Sequence, residues 1–197
     1  MPNPAPHSAQ ALARRRLITA LPLGIVAPAL WAQADPSGPP ALAFVGFELI
    51  DDQPDPARLP VHQARLAQVS RQMADGLAER GLYRVVDLAA RPTAQQALQR
   101  ARAENEYLHR CNGCLAGIGA AASAPLVGVG WVQRVSNLIL NLNLAVWAVD
   151  AQGGEDRMTL TKSVDIRGDN DESWRRGVAY MLRDMAERRA RQPRYGL

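Results

Sequence analysis

Cysteine and histidine are scarce in this 197-residue chain: Cys111 and Cys114 are the two cysteines, and His7, His62 and His109 the three histidines. So few cysteines exclude a disulfide-framework fold, and His109, Cys111 and Cys114 together fall one ligand short of a closed zinc site. Catalytic signatures are missing as well. There is no nucleophile elbow, phosphate-binding glycine loop or H-E-x-x-H pattern, and Leu115 follows Cys114 where C-x-x-C-H haem attachment needs histidine. No internal repeat or low-complexity tract occurs, and past residue 34 no apolar run is long enough to span a bilayer.

What is present begins with export. Arg14, Arg15 and Arg16 form a basic start, an apolar stretch follows from Leu17 to Trp31, and Ala32, Gln33 and Ala34 make an A-x-A cleavage site, so residues 1–34 read as a signal peptide. The arginines approximate a twin-arginine signal and equally suit an ordinary Sec start, which leaves the route open. A permanent anchor is disfavoured because the stretch is short and contains Pro22 and Pro28. The expected location is periplasmic or secreted, without a membrane span in the mature chain and without a lipoprotein cysteine at the cleavage site.

Loss of three arginines and no acid lowers the formal net charge from +4 to +1, so the basic balance belongs partly to the signal. The remaining 163 residues suit one domain able to bury a core without cysteine staples. Residues 35–40, rich in proline, read as a disordered leader, 41–190 as a single globular domain, and 191–197 as a basic tail. Arg183, Arg188, Arg189, Arg191 and Arg194 could touch acidic lipid or nucleic acid, but cations at a helix end already suit the dipole, and no nucleic-acid partner is expected.

The pattern predicts an α/β (α+β) fold. Ala41 to Ile50 reads as a buried strand, Pro56 to Arg80 as a helix with Leu66, Val69, Met73 and Leu77 on one face and Gly81 as its left-handed cap. Tyr83 to Leu88 follows as a strand, then a helix from a Thr93–Gln96 capping box toward Tyr107. Leu126 to Val135, Leu138 to Val149 and Met158 to Arg167 read as a three-strand antiparallel meander, with Asp150 to Gly154 turning between the last two. A C-terminal helix from Asp171 carries Trp174, Val178, Met181, Leu182 and Met185 inward. The expected architecture is a mixed sheet with two helical crossovers, the meander and this helix closing one face.

The cysteine pair admits three readings. In an oxidising compartment Cys111 and Cys114 should form a disulfide that staples a loop. A redox role would use a low-pKa thiolate at the start of a helix, although Asn112-Gly113 looks like a turn. A metal role would combine His109, Cys111 and Cys114, three soft ligands that suit copper(I). The staple is the expectation, with no metal and no cofactor.

The second candidate site is the strand-to-helix junction. Asp169, Asp171 and Glu172 could do acid/base work or bind calcium, but helix capping explains them more simply, with Arg167 pairing one of them and Trp174 anchoring the core. Asn141 and Asn143 lie on the polar face of the middle strand, where edge polarity is the simplest account. Gly128 and Gly130 lie in an apolar strand, where they permit close backbone packing.

Together, Cys111-Asn-Gly-Cys114, the segment from Gly130-Trp-Val-Gln-Arg through Val-Ser-Asn-Leu-Ile-Leu140, Asp165-Ile-Arg-Gly-Asp-Asn-Asp-Glu-Ser-Trp174 and Phe47-Glu-Leu-Ile-Asp51 resemble a secreted proteobacterial family classed as a domain of unknown function, of the 3280/2380 type. The resemblance covers nearly all of the mature chain. It departs in the Gly- and Ala-rich stretch Leu115 to Ala124, which weakens the case for a helix there. The strand order is also similar to the N-terminal domain of TolB and to curli-secretion lipoprotein domains, which implies a binding or assembly module. Some members of the family are thought to accompany periplasmic alcohol oxidation systems. The expectation is a non-enzymatic periplasmic accessory module that contacts an unidentified periplasmic protein through the sheet edge or the junction. Arg134, Asn141, Asn143, Arg167, Asp169, Asp171, Glu172 and Trp174 are the candidate contacts. The alternative is a thiol-redox or metal-handling accessory using the cysteine pair.

Overall fold

The computed structural model describes residues 38–150 and 156–197. The expected signal peptide, the first part of the leader and most of the turn after Asp150 lie outside the described residues.

The apolar run past the prolines is β1 (Ala41–Asp51), largely buried on both faces over its first half. Gly46, at φ +91, forms a bulge between Phe44 and Phe47, and the freed Phe47 N–H donates to Ser70 Oγ at 2.9 Å. The extra residue shifts the side-chain alternation so that both phenylalanines face the same core.

The first expected helix opens as a 3-10 turn at Pro56–Arg58 and continues as α1 (Leu59–Glu79), burying Val69, Met73 and Leu77. Its end is the expected one. Gly81 adopts φ +61, its N–H donates to the Ala78 carbonyl, and Leu82 N–H reaches back to Leu77, which satisfies carbonyls the helix leaves free.

The next strand is shorter than expected: β2 spans Arg84–Val85. Asp87 stops it, because its Oδ1 accepts from the N–H groups of Ala89 and Ala90 and turns the chain. The capping box is also a misreading. Pro92 takes the first position of α2 (Pro92–Glu104), which makes Arg91 the N-cap and leaves Thr93 inside the helix. α2 stops at Glu104, short of Tyr107.

The Gly- and Ala-rich stretch does form a helix, α3 (Cys114–Ala122). Leu115, Ile118 and Ala122 are buried in a core shared with Ala43, Val45, Val127 and Val129, and that packing outweighs weak propensity. The meander follows as β3 (Leu126–Arg134), β4 (Ile139–Ala148) and β5 (Arg157–Arg167), and α4 (Asp171–Arg191) closes the fold.

The sheet order is β2-β1-β3-β4-β5, with β1 parallel to both β2 and β3 and the last three strands antiparallel. The chain steps from β1 to β2 through α1, then back across β1 to β3 through α2 and α3. Right-handed crossovers in opposite directions place their helices on opposite faces. Accordingly α1 and α4 cover one core, with Leu42, Leu140, Leu142, Leu144 and Trp174, while α2 and α3 cover the other.

Gly128 and Gly130 serve close packing, as their setting in the strand predicts. They pair with Phe44 and Phe47 across the sheet, and a Cβ on Gly130 would fall 2.5 Å from the Phe47 ring. The residues expected as a basic tail fold back on the sheet: Tyr195 and Leu197 pack against the larger core, and the Tyr83 hydroxyl donates to the Gly196 carbonyl at 2.6 Å. Among the described residues no helix is long and apolar enough to cross a membrane.

Candidate functional site

The junction between β5 and α4 is built around one buried carboxylate. Asp169, with its side chain 1% exposed, receives the Arg58 guanidinium at 3.1 Å, His62 Nε2 at 2.8 Å and Arg134 Nε at 3.2 Å on Oδ2. Its Oδ1 accepts from Arg65 Nη1 at 2.8 Å and from the Trp174 indole N–H at 3.1 Å. Arg134 reaches on to Asp51 at 2.6 Å and to the Gln53 carbonyl at 2.8 Å, and Arg65 to Asp171 at 2.6 Å. This knot joins the end of β1, the start of α1, the end of β3 and the start of α4. Burial pushes the Asp169 carboxyl up, but the hydrogen bond and charge of His62 and the charges of Arg65 and Arg58 prevail and hold it below its ordinary value.

The capping account of Asp169 is therefore overturned. Asn170 is the cap of α4, its Oδ1 accepting from Ser173 N–H at 3.0 Å, while Asp169 points inward. Asp171 and Glu172 do occupy the first turn, where they pair with Arg65 and Arg175. Arg167 does not supply the cation for Asp169; its carbonyl instead accepts from Ser173 Oγ at 2.7 Å. Trp174 is fully buried and stacks on His62.

Three arginine and histidine partners, Arg58, His62 and Arg65, escaped the sequence reading. The available signal was His62, which continues the stripe of Leu66, Val69, Met73 and Leu77 by one helical step.

Of the expected contact residues, Arg134, Asp169 and Trp174 are consumed in the knot. Asn143 is buried, its Nδ2 donating to the Asn141 carbonyl. Asn141 Nδ2 donates to Asp165, and its Oδ1 accepts from Ser163 Oγ at 3.1 Å. The edge account of these asparagines does not hold, since β4 is paired on both sides and the edge strand is β5.

Beside the knot, β5 and α4 enclose an open groove of about 660 Å³, lined by Ser163, Asp165, Arg167, Arg176, Tyr180 and Arg183. The two elements run antiparallel, as the Lys162–Asp184 ion pair and the approach of Gly177 to Ile166 establish. Arg167 lies at the end nearest Asp169, followed by Arg176, Tyr180 and Arg183. These four side chains are exposed, and Arg183 lies over the Tyr180 ring. None of the three arginines has a carboxylate partner among the described residues. The outer edge of β5 adds backbone donors and acceptors with no strand beside them among the described residues.

The cysteine pair sits on the other side of the sheet. Cys111 and Cys114 are joined in a disulfide with Cα atoms 5.8 Å apart, between a 3-10 turn at Leu108–Arg110 and α3. His109 stacks on Trp131 with ring centroids 4.3 Å apart, and its Nδ1 lies 3.9 Å from Glu48. Burial, then the charge of Arg110, pushes the His109 pKa down. With both sulfurs bonded to each other, the set His109, Cys111 and Cys114 offers no thiolate to a metal. Glu48 accepts the Leu108 N–H at 3.0 Å and fixes the turn.

The DUF3280 family, described as a protein of unknown function (DUF2380), matches residues 40–185. No curated protein matches the chain. Similar solved structures include the C-terminal domain of LpoB from Salmonella enterica, at 16% identity over 68% of this chain and 87% of that one, TM-score 0.40. Lipoprotein GNA1162 from Neisseria meningitidis is 15% identical over 76% of this chain and 99% of that one, TM-score 0.45. The PelC dodecamer from Paraburkholderia phytofirmans is 12% identical over 73% and 86%, TM-score 0.36.

Proposed function

From the premise that this chain belongs to the DUF3280 family, a domain of unknown function, we propose that it is a periplasmic accessory module that works by protein–protein contact, with the groove between β5 and α4 as its contact surface. Export rests on the basic start, apolar stretch and A-x-A site of residues 1–34. A place beside a periplasmic oxidation system is what the family resemblance implies.

The observation that carries the reading is the coincidence of an open strand edge with exposed arginines and a tyrosine in one groove. Arginine and tyrosine are enriched where proteins meet, because they give large contact area with polar ends. Arg167, an expected contact residue, lines this groove, and the knot at Asp169 fixes its end. The rival reading draws on Cys114 being the first residue of α3, where a helix N-terminus would favour a thiolate after reduction.

A photo-cross-linking residue at Tyr180 tests both in the host cell, with exposed Arg100 on α2 as the control position. The contact reading expects an adduct with one envelope protein from position 180, absent from position 100 and lost when Arg176 and Arg183 become Glu. It also expects the adduct to survive Cys111→Ser with Cys114→Ser. No adduct at Tyr180 sinks the contact reading. An adduct that vanishes in the folded double-serine variant transfers the function to the cysteine pair.

A further inference from the structure

Resting on that contact reading, we infer that the groove takes an acidic extended segment of a partner protein, added beside β5 as a sixth strand. Three observations converge on this ligand. First, β5 ends the sheet, and an edge strand supplies main-chain hydrogen bonds to any extended chain of suitable side chains. Second, Arg167, Arg176 and Arg183 line the groove together with no carboxylate partner among the described residues, and the acid that lines it beside them, Asp165, is hydrogen-bonded to Asn141. Guanidinium groups in this position favour carboxylates, which they can hold with two parallel hydrogen bonds.

Third, the two α4 arginines lie within side-chain reach of same-face residues of one strand. Arg176 and Arg183 are seven residues apart on α4, about 10.5 Å along the axis at 1.5 Å per residue. Four strand residues span about 13 Å, a difference that two flexible arginine side chains absorb. Tyr180 stands between them. An incoming strand thus presents acidic residues at positions i and i+4 to the arginines and an apolar residue at i+2 to the tyrosine ring, all on the side that faces α4.

The same charges argue against the obvious competitors. A second copy of this chain pairing β5 with β5 would bring two sets of arginines together. Lys162, directed toward α4 and paired with Asp184, adds an inward cation on the edge strand, a device that discourages indiscriminate apolar strands.

The probe is a labelled peptide, Thr-Glu-Thr-Val-Thr-Glu-Thr, titrated with the full chain and followed by fluorescence anisotropy. Three comparison probes replace both Glu by Lys, methylate alternate backbone nitrogens in one of the two frames, or substitute a ten-nucleotide oligothymidylate. The acidic peptide should bind, the Lys peptide should not, and methylation in one frame should abolish binding while the other frame is tolerated. Arg176→Glu with Arg183→Glu should weaken binding about ten-fold or more, as loss and reversal of two exposed ion pairs implies. Both positions are exposed, and an unchanged melting temperature checks the variant's fold.

Tolerance of methylation in both frames, indifference to the double reversal, or oligothymidylate binding as tight as the peptide overturns the inference. So does failure of the peptide to bind. If the Tyr180 adduct still forms in that case, the contact reading stands and only the strand-shaped acidic ligand is lost.

Discussion

Asp169 takes part in four of the described ion pairs, more than any other residue. Three guanidinium groups and an imidazole converge there around a single carboxylate whose side chain is buried. Removing one partner of a buried charge set costs far more than the set itself is worth, because the others stay buried and uncompensated. Asp169→Asn is therefore expected to destabilise the protein by about 3–5 kcal/mol in chemical denaturation. A loss near zero would mean that water screens the cluster. The folded carboxyl titrates below its ordinary value of 3.8, so its stabilising contribution is complete above that value and drains away as pH falls through the lower folded one. Wild-type protein should lose stability over that acid interval, and Asp169→Asn should show a flatter profile there.

At the scale of elements, packing decided what local pattern could not. The alternation of Leu138, Leu140, Leu142, Leu144 and Val146 predicts β4 and its inward face, which holds from Leu140 onward, whereas Leu138 precedes the strand and is exposed; Gly81 and the run Val69, Met73, Leu77 mark α1, because burial repeats at the period of the element. The Asp87 turn and the position of Pro92 are local, made with Ala89 and Ala90 and by the first-turn preference of proline, and a period does not report them; the convergence of Arg58, His62 and Arg65 on Asp169 joins residues more than 100 positions apart, which no period encodes. The groove escaped for the same reason: Arg176, Tyr180 and Arg183 share a helical stripe, but their meaning comes from β5 being the edge. Gly130→Ala tests one such contact. The added methyl meets the Phe47 ring at 2.5 Å, so about 1–3 kcal/mol should be lost to overpacking, and Phe47→Leu in the same chain should return part of it. A simple sum of the two single losses would deny the contact. The disulfide is a smaller element of stability. It closes so short a loop that Cys111→Ser with Cys114→Ser should cost about 2 kcal/mol or less, read as a lower denaturation midpoint with groove binding intact.

Across the whole molecule, stability and access are divided along the sheet. β1, β3 and β4 are paired on both sides and lie between two cores, whereas β5 is paired on one side and relies on α4 for cover. α4 is in turn held at its start by the knot and farther along by the Lys162–Asp184 pair. Local opening should follow this division, since amides exchange by the cheapest opening that frees them. Native-state hydrogen exchange should find the slowest amides in β3 and β4 and faster ones along the outer edge of β5. Asp169→Asn adds a sharper prediction. If the knot sets the position of α4 against β5, the variant should speed exchange in β5 and the first turns of α4 beyond the uniform increase expected from lower global stability, and leave α2 and α3 at that uniform level. It should also weaken binding of the acidic peptide without touching a single groove residue, because Arg176 and Arg183 would no longer be held beside the edge of β5. An even increase over all elements, with unchanged peptide affinity, would make the knot a general stabiliser and detach it from the groove.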